Sequence, residues 1–116
     1  MKLFAKKSDA RKVAEHDVST FYEYPIDFKR MSVGVSEING VYPSTGYDYD
    51  EKVEAIWYVL SGHGKVTTAN NSYSLEAGNM LKIPPNTRFK IAGTKLKLLV
   101  VSSPPWWPEQ HKHEEE

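Results

Sequence analysis

Along most of the chain, apolar and polar positions alternate with a period of two. Met31-Ser32-Val33-Gly34-Val35-Ser36-Glu37 has the alternation of a half-buried strand. Ala55 to Leu60 is apolar on both faces, as in a strand packed inside a barrel. Gly62-His63-Gly64 reads as its end, and Lys65 to Thr68 as a new start. Asn70-Asn71 reads as a tight hairpin turn, because asparagine tolerates the left-handed conformation. Tyr73 and Leu75 follow on alternate positions, and Ala77-Gly78-Asn79 turns again. Met80 to Ile83 is a short strand stopped by Pro84-Pro85, which donate no ladder hydrogen bonds. Phe89-Lys90-Ile91 and Leu96 to Val101 read as the last two strands, linked by Gly93-Thr94-Lys95. Turn signals at this spacing predict an all-β sandwich or barrel.

The two ends break the pattern. Ser8 to Glu15 reads either as a helical turn or two capped by Ser8, or as an extended arm. Phe21, Tyr22 and Tyr24, before Pro25, read as a strand or arm covering the barrel. Between Ser102 and His111, prolines argue against a strand while Trp106 and Trp107 call for burial, so this segment is expected to fold back over apolar surface. His111-Lys112-His113 lies in a charged tail and reads as surface. The expected organisation is a single domain over 1–116, with an N-terminal arm (1–27), a barrel (28–104) and a C-terminal tail (105–116).

Composition narrows the function classes. The 116 residues suit one domain, and 40% hydrophobic content supplies one core. Lys+Arg and Asp+Glu number 15 each and the pI is near 6.9, which argues against a dedicated nucleic-acid surface. No cysteine is present, so disulfides, thiolate catalysis and cysteine-ligated zinc are excluded. That fits a cytoplasmic protein, the expected location. Met1 to Lys7 shows no apolar signal-peptide core, and no apolar run is long enough for a membrane helix. Neither nucleic acid nor membrane is an expected partner. There is no G-x-S-x-G, phosphate loop or H-E-x-x-H.

Two linked stretches carry a resemblance. Gly40, Tyr47-Asp48-Tyr49, Glu54 and Tyr58-Val59-Leu60-Ser61-Gly62-x-Gly64 form the first. Leu75-x-x-Gly78-Asn79-x-x-x-Ile83-Pro84 and Phe89 form the second. In order and separation they resemble the two motifs of the cupin superfamily, over roughly residues 28 to 104. The resemblance implies a cupin-type jelly-roll β-barrel (double-stranded β-helix). It also places the family's three ligand histidines on Tyr47, Tyr49 and Phe89, so this looks like a small single-domain cupin lacking the metal-ligand histidines. Imidazole is the favoured nitrogen ligand for transition metals. A phenol binds well only once deprotonated, near pH 10, and a phenyl ring cannot ligate. No metal and no cofactor are therefore expected. The family glutamate falls at or beside Glu54, but the spacing to Gly62 is one residue too long and puts Ala55 in its place. A one-residue shift turns Glu54 outward and a bulge turns it back, so both placements stay open.

The candidate ligand-binding residues are Tyr47, Tyr49, Trp57 and Phe89. They wall either an aromatic pocket with sparse polar handles or a barrel filled by its own side chains. Glu54 is the candidate catalytic residue, an acid or base if buried among aromatics and an ordinary loop carboxylate if exposed. Arg88 and Lys90 should face outward if Phe89 faces in. Three functions remain open: a metal-independent module binding a sugar-like small molecule, a metal-independent sugar isomerase, epimerase or lyase, and a structural barrel. Whether it is an enzyme is left open. A homodimer is expected, because cupins often pair and because Phe21, Tyr22, Tyr24, Trp106 and Trp107 exceed what one barrel hides.

Overall fold

In the computed structural model, residues 3–26 and 28–116 are described; Met1, Lys2 and Asp27, and with them the start of the signal-peptide reading, lie outside that set. The period-two pattern becomes strands β1 (Arg11–Glu15), β2 (Ser19–Glu23), β3 (Ser32–Tyr42), β4 (Tyr47–Asp50), β5 (Glu54–Thr68), β6 (Ser72–Glu76), β7 (Met80–Ile83), β8 (Phe89–Ser103) and β9 (His111–Glu114). One path through the sheet runs β1-β2-β3-β8-β4-β9, while β5 pairs with β8, β6 and β7. All these pairings are antiparallel.

Two expected breaks are absent. Gly62-His63-Gly64 does not end a strand, and Gly93-Thr94-Lys95 does not link two: β5 and β8 are continuous, at 15 residues each. The extra residues are absorbed as bulges, one in β5 between Val59 and Ser61 and one in β8 between Gly93 and Lys97, where β8 takes an extra residue against both β5 and β3. Bulges bend and twist a strand, so neighbouring bulges curl the sheet together. The close approach explains the glycine: Gly62 has φ +76°, and a Cβ there would run into the Lys95 carbonyl. Lys95 itself has φ +49°. The turn at Gly78 and the stop before Pro84 stand as the sequence suggests.

Inside the curl sits the core: Ile38, Val59, Val66, Leu75, Ile83, Leu96 and Leu98, with Trp57 and Phe89 toward one end. The N-terminal arm is no loose cover. After a short 3-10 helix at Lys7–Asp9, β1 and β2 extend the main sheet, with Ser19 opposite Ile38. The tail does fold back, as expected. It then becomes a strand: past a 3-10 turn at Pro108–Gln110, β9 pairs with β4, Asp50 facing His111 and Asp48 facing His113. The prolines delay this strand only as far as His111. Among the described residues no helix is long and apolar enough to cross a membrane.

Candidate functional site

The end of the barrel marked by Trp57 and Phe89 is open. A cavity of about 300 Å³ lies there, walled by inward side chains of β2, β3, β5 and β8, among them Phe21, Ile38, Ala55, Ile91 and Val100. Trp57 meets Phe89 edge-on, with ring centroids 4.9 Å apart. Trp106, carried by the returning tail, sits edge-on to Phe21 at 6.0 Å and roofs the mouth. The polar groups collect at the rim: His16 from the β1–β2 turn, Tyr42 from the end of β3, Asp50 from β4 and His111 from β9. Among the described lining residues none is lysine or arginine.

The rim is held by hydrogen bonds. Asp50 Oδ1 accepts from Trp106 Nε1 (3.1 Å), Gln110 Nε2 (2.7 Å) and His111 Nδ1 (2.8 Å). The other ring nitrogen of His111 donates to Asp48 Oδ2 at 2.9 Å, and His113 Nδ1 donates to Asp48 Oδ1 at 2.8 Å. Both nitrogens of His111 face carboxylates, so the ring is an imidazolium. Burial works against that charge, but the hydrogen bonds to Asp48 and Asp50 outweigh it and lift His111 to about 9. For Asp48, burial pushes up, while hydrogen bonds from His111, Tyr42 and His113 prevail and bring it to about 2. Tyr42 is pushed well up, first by burial and then by its hydrogen bond to Asp48, so it stays a neutral donor. Its oxygen lies 3.4 Å from His16 Nε2. Because the Tyr42 proton goes to Asp48, the Tyr42 oxygen is the acceptor in this contact and His16 Nε2–H the donor.

The structure brings together only part of the residue set expected from the sequence. Trp57 and Phe89 line the cavity. Tyr47 and Tyr49 do not: they alternate with buried Asp48 and Asp50, and Lys90 and Arg88 lie over their rings. Arg88 and Lys90 thus sit on the opposite face from buried Phe89, as alternation requires. Glu54 is exposed and Ala55 faces inward, so of the two registers left open the outward one is realised. No bulge lies between Glu54 and Val59 to turn it back. The rim residues His16, Tyr42, Asp48, Asp50 and His111 were missed. A signal existed: Asp48-x-Asp50 and His111-x-His113 are period-two pairs of opposite charge.

A metal centre of the kind the cupin resemblance implies needs donors that converge. At the matching positions Phe89 has none, while Tyr47, Tyr49 and Glu54 point elsewhere. The nearby imidazole nitrogens of His111 are both engaged by carboxylates. Among the described residues no group of three or more His, Asp or Glu has metal-binding geometry. These residues do not fit such a metal.

No protein-family model matches the chain. A curated relative, an uncharacterized protein of Methanocaldococcus jannaschii, is 38% identical over 56 residues, 46% of this chain. The match spans 45% of that relative's length. Among solved structures, a Streptomyces Pac13 variant with uridine superposes with a TM-score of 0.86 at 16% identity, covering 99% of this chain and 92% of that one. Pac13 is described as a nucleoside dehydratase. KdgF from Halomonas sp. gives 0.72 at 12% identity, covering 87% and 94%. Ectoine synthase from P. lautus gives 0.70 at 12%, covering 94% and 83%. At such identities the likeness carries the fold alone, and the fold is a cupin-type β-barrel.

Proposed function

We propose that the barrel cavity binds an uncharged, ring-bearing small molecule of the nucleoside or sugar class, without a metal. The observation that carries this is the pairing of charge at the rim. The cavity wall is apolar and aromatic, and the cation His111 has both donors held by Asp48 and Asp50. A phosphate or carboxylate would find no lysine or arginine among the described lining residues and would face the Asp50 carboxylate. A flat ring can instead stack against Trp57, Phe89 or Trp106, with its hydroxyls reaching Ser19, Ser36 or Ser102. The volume, about 300 Å³, is at the small end for ligand sites and suits a one- or two-ring compound. The uridine held by structurally similar Pac13 supports the same class. Calorimetric titration with uridine and uridine 5′-monophosphate, in chelator, tests it. Uridine should bind at least about tenfold tighter. Tighter binding of the nucleotide would overturn the reading.

His16 favours a second reading, a lyase that removes water. His16 lies at the cavity mouth with Nε2 toward the Tyr42 oxygen; Nδ1 is the base and, once it has taken up the substrate's proton, the acid. In a bound β-hydroxy carbonyl compound the base takes the proton α to the carbonyl. The electron pair forms the new double bond, and the β-hydroxyl leaves as water with a proton from the acid. The description of Pac13 as a nucleoside dehydratase supports this class. His16→Gln should abolish water loss, followed by mass spectrometry, while changing ligand affinity less than about threefold. Unchanged turnover in that variant would remove His16 from the chemistry.

A further inference from the structure

We infer that Ser102, on the corner of the cavity that Trp106 covers, reads a sugar hydroxyl of the ligand, so that a nucleoside lies with its pentose at Ser102 and its base against Trp57. This rests on the reading of the cavity as a nucleoside or sugar site. Ser102 is 2% exposed and lines the cavity. On β8 it continues the inward row of Leu98 and Val100. Two neighbouring serines have their hydroxyls occupied. Ser103, on the outward face, donates to the Arg30 carbonyl at 2.8 Å. Ser32, opposite Ser102 on β3, accepts from the Trp106 backbone N–H at 3.0 Å. Ser102 Oγ has no hydrogen-bond partner among the described residues. Every side-chain oxygen among them that solvent cannot reach does have one, so the Ser102 hydroxyl opens into the cavity. An unpaired hydroxyl in an apolar wall costs stability, and alanine would serve the barrel better. A ligand hydroxyl removes that cost, because serine and an alcohol can each donate and accept.

The surroundings of Ser102 select a sugar. Ser32, Ser102 and Ala55 are cross-strand neighbours, and all three are small. They leave a notch in a wall otherwise built of Leu98, Val100 and Trp57. Trp106 closes this corner, with its backbone N–H fixed to Ser32 and its indole N–H to Asp50. An indole beside a buried hydroxyl suits a pentose, which is apolar on its ring faces and polar at its edge. Trp57 stands one pleat repeat along β5 from Ala55 and one strand across from Ser102, about 8 Å in all. A nucleoside spans that distance from base to ribose. Ser19, also buried in the wall, sits instead beside the large side chains of Ile38 and Leu96, far from Trp57 across the sheet.

Calorimetric titration of the full chain with uridine, 2′-deoxyuridine and 3′-deoxyuridine tests the inference. In the parent, one of the two deoxy compounds should bind at least about fivefold more weakly than uridine. In Ser102→Ala that ratio should fall below about twofold, through weaker binding of uridine, while the melting temperature holds or rises. Should Ser102→Ala not fold, Ser102→Cys keeps the volume, carries only a weak donor and is read in the same way. A lower melting temperature with all three compounds weakened alike would make Ser102 structural and overturn the inference. Uridine binding without such a ratio in the parent, or with the ratio kept in the variant, would overturn it and leave the reading of the cavity standing. No uridine binding in the parent would overturn both.

Discussion

One carboxylate oxygen, Asp50 Oδ1, accepts from Trp106, Gln110 and His111, and so ties the cavity roof, the 3-10 turn and β9 to β4. Asp50→Ala leaves three donors without it, one of them charged, and should cost about 3 kcal/mol in denaturant unfolding. Ligand affinity should fall with it, as Trp106 loses its anchor. The clamp also fixes a pH profile. His111 is raised from 6.5 to about 9, so its stabilisation is complete below pH 6.5 and is lost as pH rises through about 9. Asp48 is lowered from 3.8 to about 2, so its contribution is complete above pH 3.8 and is lost as pH falls through about 2. The melting temperature should therefore decline on the alkaline side from pH 6.5 upward. In His111→Gln that alkaline decline should largely disappear.

At the scale of elements, β9 acts as a strap over the cavity rim. Besides its ladder with β4, Arg88 pairs with Glu114 and Lys90 with Glu116 across to β8. Gly46, just before β4, has φ +66°, and a Cβ there would meet the Glu114 carbonyl. Gly46→Ala should cost roughly 2 kcal/mol and speed hydrogen exchange at the β9 amides ahead of those of β5. The sequence makes β4 legible as an alternating element but hides its neighbour. The pairing of Asp48 with His113 spans 65 positions and leaves no local pattern. Local rules treat His111-Lys112-His113 as a polar tail, and only the opposite charge of the two period-two pairs hints otherwise. The same locality explains β5 and β8: glycines at 62 and 64 look like a stop, yet they let β5 pass close to β8, Gly62 against Lys95 and Gly64 against Ala92. The register at Glu54 stayed open in the sequence, because motif spacing puts Ala55 at the family position while a bulge would restore Glu54; the strand has no bulge there, and Ala55 faces inward.

For the whole molecule, the curl of the sheet and its turn spacing follow from the sequence, and the cupin-type fold follows from the motif resemblance. The cavity's existence does not. Side-chain volume alone leaves an open and a filled barrel equally consistent, and the tail, from outside the barrel motifs, contributes Trp106 to the cavity wall. Binding should survive exhaustive dialysis against chelator with affinity changed less than about twofold. The most direct test follows the three indole N–H resonances by nuclear magnetic resonance while uridine is added in chelator. Trp57 and Trp106 line the cavity, while Trp107 is exposed outside it. The account predicts saturable shifts at Trp57 and Trp106 with Trp107 unmoved. No shift at Trp57 and Trp106 up to about 10 mM, or shifts confined to Trp107, would contradict it.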